Sequence, residues 1–393
     1  MTKLFVEYTE MGKRIALTQG GKLTQIIVDK KDTSLVGNVI VGRLCTIMPG
    51  QFAFIDIGPG KNAFANLKQA NTLKAGQPVL VQVLKDGAGS KGPYVTTDIS
   101  LKGWYVIIHK SPPGEVGVSH KIGSEKESRR LKTLVRNLLP KGYGAIVRTN
   151  AQHATPEAIG TEIEELCKKY EYITTRAQFA LPPAKLYPDA NISSLLSDMV
   201  IDKLEEVHIA GSPQEFDQAR ECILEFAPSL EGCIVHHEGD KPMFKAHGIS
   251  PQITKSLDTT VALPCGGFIT IEETEACVVI DVNTGNNTKS NSYRDTILNT
   301  NLEAAKAIVD QLILRNLSGI IIIDFIDMAK QEDKAKLMET FGQELTRDRT
   351  NPEVVGMSKL GIVQMARPKR RLSLRQYLEV NCPSCGGKGR VRG

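Results

Sequence analysis

Two apolar runs that each end in an acid, VVIDVNTG at residues 278–285 and GIIIIDFID at residues 319–327, decide the fold. Both runs have the length of one strand, and an unbroken apolar run is typical of a strand buried on both faces of a parallel sheet. Residues 294–316, which separate the runs, repeat apolar side chains with the spacing of one helix face. A strand, a helix and a second strand in this order predict two parallel strands joined by a right-handed crossover.

The acid that closes each run is a candidate metal ligand. Asp281 and Asp324 stand at the carboxyl ends of their strands, and these ends share the sheet edge where open α/β sheets bind ligands. If the strands are neighbours, their backbones lie about 4.8 Å apart. Two carboxylates so close repel each other unless a cation lies between them or one of them is protonated. Oxygen ligands favour Mg²⁺ or Mn²⁺, which keep water molecules and accept phosphate oxygens.

Two nearby residues and one alternative complete this prediction. Asn283 lies two positions after Asp281, so its side chain is expected on the same side, where it can donate to a phosphate. Asp327 is interpreted either as support for the metal site or as a helix cap. The spacing also leaves open that Asp281 and Asp324 themselves cap helices or pair with arginines.

Length and composition are those of a soluble protein with several domains. A chain of 393 residues with 41% apolar and 24% charged residues predicts two to four domains. No apolar run approaches the ~18 residues of a membrane span, and the N-terminal MTKLFVEYTEMGKR carries acids where a signal peptide is apolar. We therefore expect a cytoplasmic protein without a membrane span.

Positive charge is concentrated at the C-terminal end. Residues 359–393 contain nine lysines and arginines against one acid, Glu379, although the net charge of the whole chain is only +5. A basic end on a near-neutral body suggests a polyanion partner. A solubilising tail is the alternative interpretation.

The first hundred residues have the pattern of short strands. Residues 1–36 hold three of them, too few for a domain, so we expect them to pair with a distant segment. Residues 37–97 hold about five short strands separated by glycine turns, which predicts a small β-barrel of the OB type. Farther along, residues 155–179 have the start chemistry and the apolar period of a helix.

Cys382 and Cys385 form a CPSC pair. Structural zinc takes four ligands, and the chain has no other cysteine pair with this spacing and no histidine in its last hundred residues. Half a site predicts that two chains share one Zn²⁺, and hence a homodimer. A thioredoxin-like redox pair and two unligated thiols are the alternatives.

Taken together, IDVNTG, NTNLEAA at 299–305, IIIIDFIDM and NCPSCGGKGR resemble the ribonuclease E/G family of bacterial endoribonucleases. GNVIVGR, AFIDIG and IVRT agree in the same order, so the resemblance covers essentially the whole chain. It implies an α/β multidomain fold in which a split ribonuclease-H-like domain contains an inserted S1 (OB) β-barrel and a 5′-sensor domain, followed by a DNase I-like catalytic domain and a zinc-link. The implied boundaries are 1–36 for the first segment of the ribonuclease-H-like domain, 37–97 for the S1 domain, 98–193 for the 5′-sensor domain, 194–256 for the second ribonuclease-H-like segment, 257–378 for the catalytic domain and 379–393 for the zinc-link.

The resemblance also implies a chemistry. The two metal-binding aspartates of the family fall on Asp281 and Asp324, and its assisting asparagine falls on Asn283. The implied reaction is Mg²⁺-dependent hydrolysis of single-stranded RNA to 5′-phosphate and 3′-hydroxyl ends, in which the metal orients the scissile phosphate and activates a water. Such an enzyme would act in the processing of ribosomal RNA and in the decay of messenger RNA.

Further RNA-binding residues are implied by the same resemblance. The 5′-sensing pocket of the family, through which a 5′-monophosphate stimulates cleavage, corresponds to Gly103, Ile107, Arg148 and Thr149. An arginine and a hydroxyl can hold a terminal monophosphate. The RNA-stacking aromatics of the S1 domain correspond to Phe54 and Phe64, and its basic contact corresponds to Lys91.

Expectations about assembly come from the C-terminal end. The resemblance implies that Cys382 and Cys385 bind a structural zinc shared between two chains. Because the sequence stops eight residues after Cys385, we expect a dimer rather than a tetramer, and without a long arginine- or proline-rich extension we expect no degradosome scaffold region. Two hypotheses compete with the nuclease: a non-catalytic RNA-binding protein that uses the S1 domain and basic tail, and a structural subunit organised by zinc.

Overall fold

The structure, a computed structural model, divides into two compact units. The first comprises Met1–Asp29, Lys203–Gly211 and Val235–Gly393, and the second comprises Lys30–Asp202 and Ser212–Ile234. The division into six segments and five domains that the resemblance implies stays a prediction. The structure describes residues 1–10, 12–30, 35–49, 51–58, 60–67, 74–87, 91–111, 115–152, 154–187, 192, 195–196, 199, 204–239, 241–285, 292–358, 360–369, 371–380 and 382–387.

Strands and helices are both plentiful, as expected for a mixed α/β chain. The strands are β1 Thr2–Thr9, β2 Gly12–Gln19, β3 Lys22–Lys30, β4 Val39–Met48, β5 Phe52–Asp56, β6 Ala63–Asn66, β7 Pro78–Lys85, β8 Tyr94–Thr96, β9 Ser100–Lys102, β10 Val106–Lys110, β11 Val116–Val118, β12 Tyr143–Val147, β13 Ala184–Tyr187, β14 Glu206–Ala210, β15 Ile234–His236, β16 Thr260–Ala262, β17 Phe268–Glu273, β18 Cys277–Asn283, β19 Gly319–Asp324, β20 Glu353–Met357 and β21 Ile362–Arg367. The helices are α1 Glu125–Leu138, α2 Pro156–Ala177, α3 Pro213–Phe226, α4 Met243–Ala246, α5 Ile249–Lys255, α6 Tyr293–Leu314, α7 Gln331–Leu345 and α8 Leu374–Leu378. Of the helices within the described ranges, none is both long enough and apolar enough to span a bilayer.

In the first unit, the N-terminal strands complete a sheet with a distant segment. The order is β15-β14-β1-β2-β3, with β1 antiparallel to β2 and parallel to β14. Leu4 is paired with Leu17 on one side and with Val207 on the other. The expectation that residues 1–36 pair with a distant segment is therefore confirmed.

The second sheet of this unit has six strands, in the order β16-β17-β18-β19-β21-β20. Its central strands β18 and β19 are parallel and are joined through α6, so the predicted strand–helix–strand arrangement is confirmed. α6 begins after Ser292, whose side chain caps its first turn. One face of the sheet is buried, because Ile280 and Ile323 lie in a core with Ile308 of α6 and Phe341 of α7.

The opposite face of this sheet is open. Val279 is 36%, Ile320 59% and Val355 71% exposed, although all three are strand residues. The expectation that the two apolar runs are buried on both faces is therefore wrong. The buried helical residues of this core come from α6 and α7, which cover one face in the part of the chain that is described. Branched side chains favour strand geometry whether or not they are covered, so the run of isoleucines was an unreliable sign of double burial.

In the second unit, β4, β5, β6, β7 and β8 form a closed barrel, because β4 pairs with both β5 and β7. This confirms the five strands and the barrel predicted for residues 37–97. β13 extends the same sheet beside β4. The interior holds apolar residues of neighbouring strands, including Ile55 and Val81.

A four-stranded sheet in the order β11-β12-β10-β9 lies in the same unit. α2, the helix predicted within residues 155–179, begins after Thr155, whose side chain accepts a hydrogen bond from the Ala158 N–H. Ile159 and Ile163 of α2 lie in the core formed with this sheet. Glu162 lies between them in sequence and on the same face of α2, so its side chain also reaches the sheet.

The C-terminal basic segment is only partly a free basic surface. Arg367 is buried, and its Nε lies 2.6 Å from Oδ2 of Asp348. Arg375 pairs with Glu379 at 2.9 Å. The interpretation of this segment as a charge cluster facing a polyanion is therefore wrong for these two arginines, because acids of the fold neutralise them. Five other basic residues of the segment lie outside the described residues: Lys359, Arg370, Lys388, Arg390 and Arg392.

Candidate active site

The two candidate acids meet at one edge of the six-stranded sheet. The parallel ladder of β18 and β19 places the Cα of Asp281 directly opposite the Cα of Asp324. Both side chains are exposed. Because alternate residues of a strand share a face, the two carboxylates stand on the open face with Val279 and Ile320. The expectation that the two strands are neighbours and bring their acids together is confirmed.

Asn283 orients one of the acids. Its Nδ2 donates a hydrogen bond of 2.6 Å to Oδ2 of Asp281. A carboxylate with one oxygen held by an amide keeps the second oxygen for another partner. The sequence placed Asn283 beside Asp281 correctly, whereas its contact with a phosphate stays a prediction.

Among the described residues, the candidate acids neither cap a helix nor pair with an arginine. The residue before α6 is Ser292 and the residue before α7 is Lys330, so neither helix is capped by a candidate acid. Among the described residues, Asp281 and Asp324 form no salt bridge, which removes the arginine pairing within that part of the chain. Asp327 does not cap α7; it is exposed and lies 3.7 Å from Nζ of Lys334.

The donor set at the acid pair fits a hard divalent cation. Two carboxylates held opposite each other by strand register repel, and a cation bound between them would relieve that repulsion. No group of three or more His, Cys, Asp or Glu side chains within the described ranges could hold a metal ion. An ion at Asp281 and Asp324 would therefore complete its shell with water and with oxygens of a ligand, which is the habit of Mg²⁺.

Asn301 is a further residue of this site, and its role was not recognised in the sequence. It is fully buried on α6, where its Nδ2 donates to the Ile326 carbonyl at 2.8 Å and its Oδ1 accepts from the Ile326 N–H at 3.0 Å. These two hydrogen bonds to the backbone of Ile326 fix the chain two residues beyond Asp324. An asparagine on the buried face of a helix was the available signal, because a buried amide needs partners.

A second group of predicted residues meets in the second unit. Gly103 begins the turn from β9 into β10, and Ile107 is the second residue of β10. Arg148 and Thr149 follow β12, which pairs with β10. Nη1 of Arg148 donates to the Gly103 carbonyl. Beside them, Nδ2 of Asn150 is buried and has no hydrogen-bond partner among the described residues. The structure thus brings the glycine and the arginine of the predicted pocket into direct contact.

Glu162 of α2 reaches the same place and was not predicted. Its carboxylate accepts hydrogen bonds from three successive backbone N–H groups, at 2.7 Å from Trp104, 2.8 Å from Tyr105 and 2.8 Å from Val106. We call residues 103–106 the sensor loop. Burial raises the pKa of Glu162 to about 7, against the lowering effect of the three N–H groups and of Arg148. The sequence offers little sign of this role, because a glutamate on a helix is usually solvated.

The barrel carries an aromatic cluster on its surface. Phe52 stacks on Phe64 with ring centroids 5.3 Å apart, and Phe54 and Tyr94 contact Phe64 at 5.8 Å and 6.0 Å. Phe52 and Phe54 are 37% and 36% exposed, and the predicted basic residue Lys91 is exposed as well. Phe54 and Phe64 are therefore brought together as expected. Phe52 and Tyr94 were missed, although Phe52 lies two positions before Phe54 and so on the same face of β5.

Cys382 and Cys385 lie in a turn closed by a hydrogen bond of 2.7 Å from the Gly386 N–H to the Cys382 carbonyl. Both are free thiols. The pKa of Cys382 is lowered, chiefly by a hydrogen bond from the backbone N–H of Cys385. A lowered pKa favours the thiolate, which is the form that binds metals. Within the described residues, no group of three or more possible ligands includes this pair, and a structural zinc site takes four ligands.

Comparison with known proteins agrees with the motifs. A family model described as Ribonuclease E/G family matches residues 100–370. The chain is 35% identical to Ribonuclease G of Haemophilus influenzae and 33% identical to Ribonuclease G of Escherichia coli, in both cases over 99% of this chain and 84% of the other protein. Ribonuclease E of a Nostoc species is 34% identical over 90% of this chain and 54% of its own length. With matches that extend over nearly all its residues, the chain belongs to the ribonuclease E/G family.

Proposed function

We propose that this chain is a Mg²⁺-dependent endoribonuclease that cleaves single-stranded RNA to 5′-phosphate and 3′-hydroxyl ends in the processing and decay of cytoplasmic RNA. One observation carries the proposal: in a chain of the ribonuclease E/G family, Asp281 and Asp324 stand opposite each other on an open sheet face. The similarity to proteins named Ribonuclease G and Ribonuclease E supports RNA as the substrate.

At the acid pair, the residues of the chain would bind the metal ion and orient the carboxylates that hold it. Asp281 and Asp324 would bind Mg²⁺, which supplies charge neutralisation at the scissile phosphate and a water of lowered pKa. Asn283 keeps one oxygen of Asp281 engaged and so fixes the direction of the other. Asn301 holds the backbone after β19 and so limits the movement of Asp324. The open face leaves both acids accessible to a strand of RNA.

The barrel would hold the bases of the substrate. Phe54 and Phe64 offer ring faces, and the exposed Phe52 extends the same surface. Stacking of a base on such a ring contributes ~1–3 kcal/mol and accepts any base, which suits an enzyme with many RNA targets. Lys91 adds a positive charge for the RNA backbone.

The pocket at Gly103, Ile107, Arg148 and Thr149 would bind a 5′-terminal monophosphate and thereby stimulate cleavage. An arginine and a hydroxyl together match a phosphate with both charge and hydrogen bonds. The contact of Arg148 with the Gly103 carbonyl supports this proposal, because it joins two of the four residues of the pocket.

The cysteine pair would organise a homodimer. Cys382 and Cys385 supply two thiolates, and a second chain would supply the other two ligands of one Zn²⁺. We expect metal analysis to find about one zinc per two chains and a molecular mass in solution of two chains. Cys382→Ser should lower the zinc content and yield monomers. One zinc per chain, or a monomer that keeps its zinc, would contradict the shared site.

Cleavage of a 5′-monophosphorylated, fluorescent single-stranded RNA tests the main proposal. The protein should cut this RNA with Mg²⁺ and not with EDTA, and Asp281→Asn and Asp324→Asn should abolish the cut. Glu353→Gln is the matched control, because Glu353 is an exposed acid on β20 of the same sheet, away from the acid pair. Equal loss in the control, or full activity of the two aspartate variants, would remove the acid pair from the mechanism.

A non-catalytic RNA-binding protein is the second candidate, and the aromatic cluster of the barrel is the observation that favours it. The same experiment separates the two. Tight binding of the RNA in Mg²⁺ without any cut would favour the binding protein. Metal-dependent cutting would favour the nuclease.

A further inference from the structure

We propose that Glu162 is a positioning residue of the 5′-end pocket, whose carboxylate fixes the sensor loop and so the place where Arg148 meets a terminal phosphate. This inference rests on the proposed function, because it assumes that the pocket takes a 5′-monophosphate. Nothing in the motifs that identify the family assigns a role to this glutamate.

Glu162 accepts hydrogen bonds from three N–H groups of the sensor loop. Oε1 accepts from the N–H groups of Tyr105 and Val106, and Oε2 accepts from that of Trp104. Three successive N–H groups that point at one spot form a small anion-binding concavity. Here the concavity is already filled by the carboxyl group of Glu162. The loop is thereby held in one conformation before any RNA arrives.

Gly103 packs closely against the carboxyl group of Glu162. A Cβ at this position would lie 2.5 Å from Cδ of Glu162 and 2.9 Å from Cδ1 of Leu166. The glycine therefore leaves room for the carboxylate of Glu162 on the inner side of the loop. A side chain here would push Glu162 away from its three donors.

Arg148 is hydrogen-bonded to the sensor loop at two points. Its guanidinium donates to the Gly103 carbonyl, and its backbone N–H donates to the Tyr105 carbonyl at 2.8 Å. Arg148 is therefore joined to the sensor loop at both its side chain and its backbone. A displacement of the loop would carry the guanidinium with it. A phosphate held by a guanidinium is sensitive to such shifts, because the fork geometry is strict.

Other charged groups lie near Glu162 but do not replace it. A cavity of about 40 Å³ beside it is also lined by Lys102, Glu165, Lys169 and Glu225. The Nζ of Lys169 donates a hydrogen bond to Oε1 of Glu225. Glu165 lies on α2 like Glu162 but is exposed, and the three N–H groups of the sensor loop are directed at Glu162 instead. It therefore offers a matched control on the same helix and the same cavity.

The chain contains a convenient reporter, since Trp104 in the sensor loop is its only tryptophan. Its ring lies edge-on against Phe226, with centroids 5.4 Å apart. A movement of the loop would change the surroundings of the indole. Trp104 fluorescence therefore measures the loop directly, without any reaction.

The experiment compares a short single-stranded RNA that carries a 5′-monophosphate with the same RNA that carries a 5′-hydroxyl. Binding is followed by Trp104 fluorescence and by anisotropy of a 3′ dye, in EDTA so that no cleavage interferes. We expect the wild type and Glu165→Gln to bind the phosphorylated RNA about tenfold more tightly, as for one charged hydrogen-bond group. Glu162→Gln should reduce this preference to less than about twofold, while its affinity for the 5′-hydroxyl RNA is unchanged.

A second arm measures cleavage in Mg²⁺. With phosphorylated RNA, Glu162→Gln should raise KM and leave kcat unchanged, which a general loss of structure would not do. If Glu162→Gln does not unfold cooperatively, Glu162→Asp decides instead. Its shorter acid cannot reach all three donors, so a reduced preference supports the proposal and a full preference overturns it.

The outcomes separate this inference from the proposed function. If Glu162→Gln keeps the preference, or if a cleaving wild type has none, the role of Glu162 is refuted and the nuclease proposal stands. If the wild type never cleaves in Mg²⁺, the nuclease proposal is refuted, and the binding arm in EDTA still decides the role of Glu162.

Discussion

The molecule accommodates acids in two contrasting ways. Asp281 and Asp324 stand together on an exposed sheet face, where the amide of Asn283 bonds to Asp281. Glu162 is enclosed by a loop that turns three backbone N–H groups toward it. The first arrangement leaves carboxylate oxygens open to a cation from solvent, whereas the second engages the carboxyl oxygens with donors of the chain itself. An acid whose oxygens stay open points to a ligand, and an acid whose oxygens are engaged by the chain points to a structural or positioning task.

The largest effect is expected from removing one of the two exposed carboxylates. Asp281→Asn or Asp324→Asn should lower kcat at least about 100-fold, because each leaves the metal with one anionic ligand from the chain. The double variant should lose little more than either single variant, since the two acids act as one site. Single-turnover cleavage of a 5′-hydroxyl RNA measures this. Additive losses in the double variant would mean that the acids work separately.

A smaller effect is expected from loosening the support of the acid pair. Asn301→Leu keeps the volume but removes both bonds to Ile326, which costs about 1–3 kcal/mol of stability for the groups left unpaired. We expect about a tenfold lower kcat with unchanged RNA affinity, because Asp324 is then held less firmly. Urea unfolding and steady-state cleavage measure the two effects. Lys306→Gln, an exposed change on the same helix, is the control, and an unchanged kcat in Asn301→Leu would contradict the role given to this residue.

The third effect is a pH dependence that only the enclosed acid should show. The pKa of Glu162 is about 7 in the folded protein, above the ordinary value of 4.5, because burial disfavours its charge. Between these two pH values the folded state binds the proton and the unfolded state does not, so this group makes stability fall as pH rises from about 4.5 to about 7. Above pH 7 the contribution is constant.

The measurement is the unfolding free energy of wild type minus that of Glu162→Gln, across pH 4.5 to 8 by urea titration. Lys102, Arg148, Glu165, Lys169 and Glu225 also lie around this acid, and their contributions cancel in the difference where the variant leaves them in place. A flat difference would show that Glu162 keeps an ordinary pKa. Trp104 fluorescence of the wild type should change over the same window, with a midpoint near pH 7.

The acid pair could be predicted from the sequence because its geometry follows from general rules. Two apolar runs with one helix between them are typical of a parallel pair, and parallel strands put their carboxyl ends together. Asp281 and Asp324 could therefore be matched across forty-three positions without any coordinates. The family resemblance added the roles, and the strand ladder agrees with the matched positions.

Features that depend on how elements pack were not predicted. The exposure of Ile320 depends on which faces the helices cover, and the strand run itself carries no such information. The bond of Glu162 to the sensor loop depends on where α2 crosses the sheet. Arg367 was counted as surface charge, although Asp348 neutralises it in the interior. In each case the deciding partner lies far away in the sequence or belongs to another element.

The parallel pairing of β1 with β14 has a consequence for how the protein is made. β1 leaves the ribosome first, but its neighbour at Glu206–Ala210 is translated only after the entire barrel. At synthesis rates of about 5–20 residues per second, the N-terminal hairpin waits on the order of ten seconds or more with one edge unpaired. Nascent chains are therefore expected to gain their barrel before their first sheet, and that exposed edge makes the intervening period the one most open to chaperone binding.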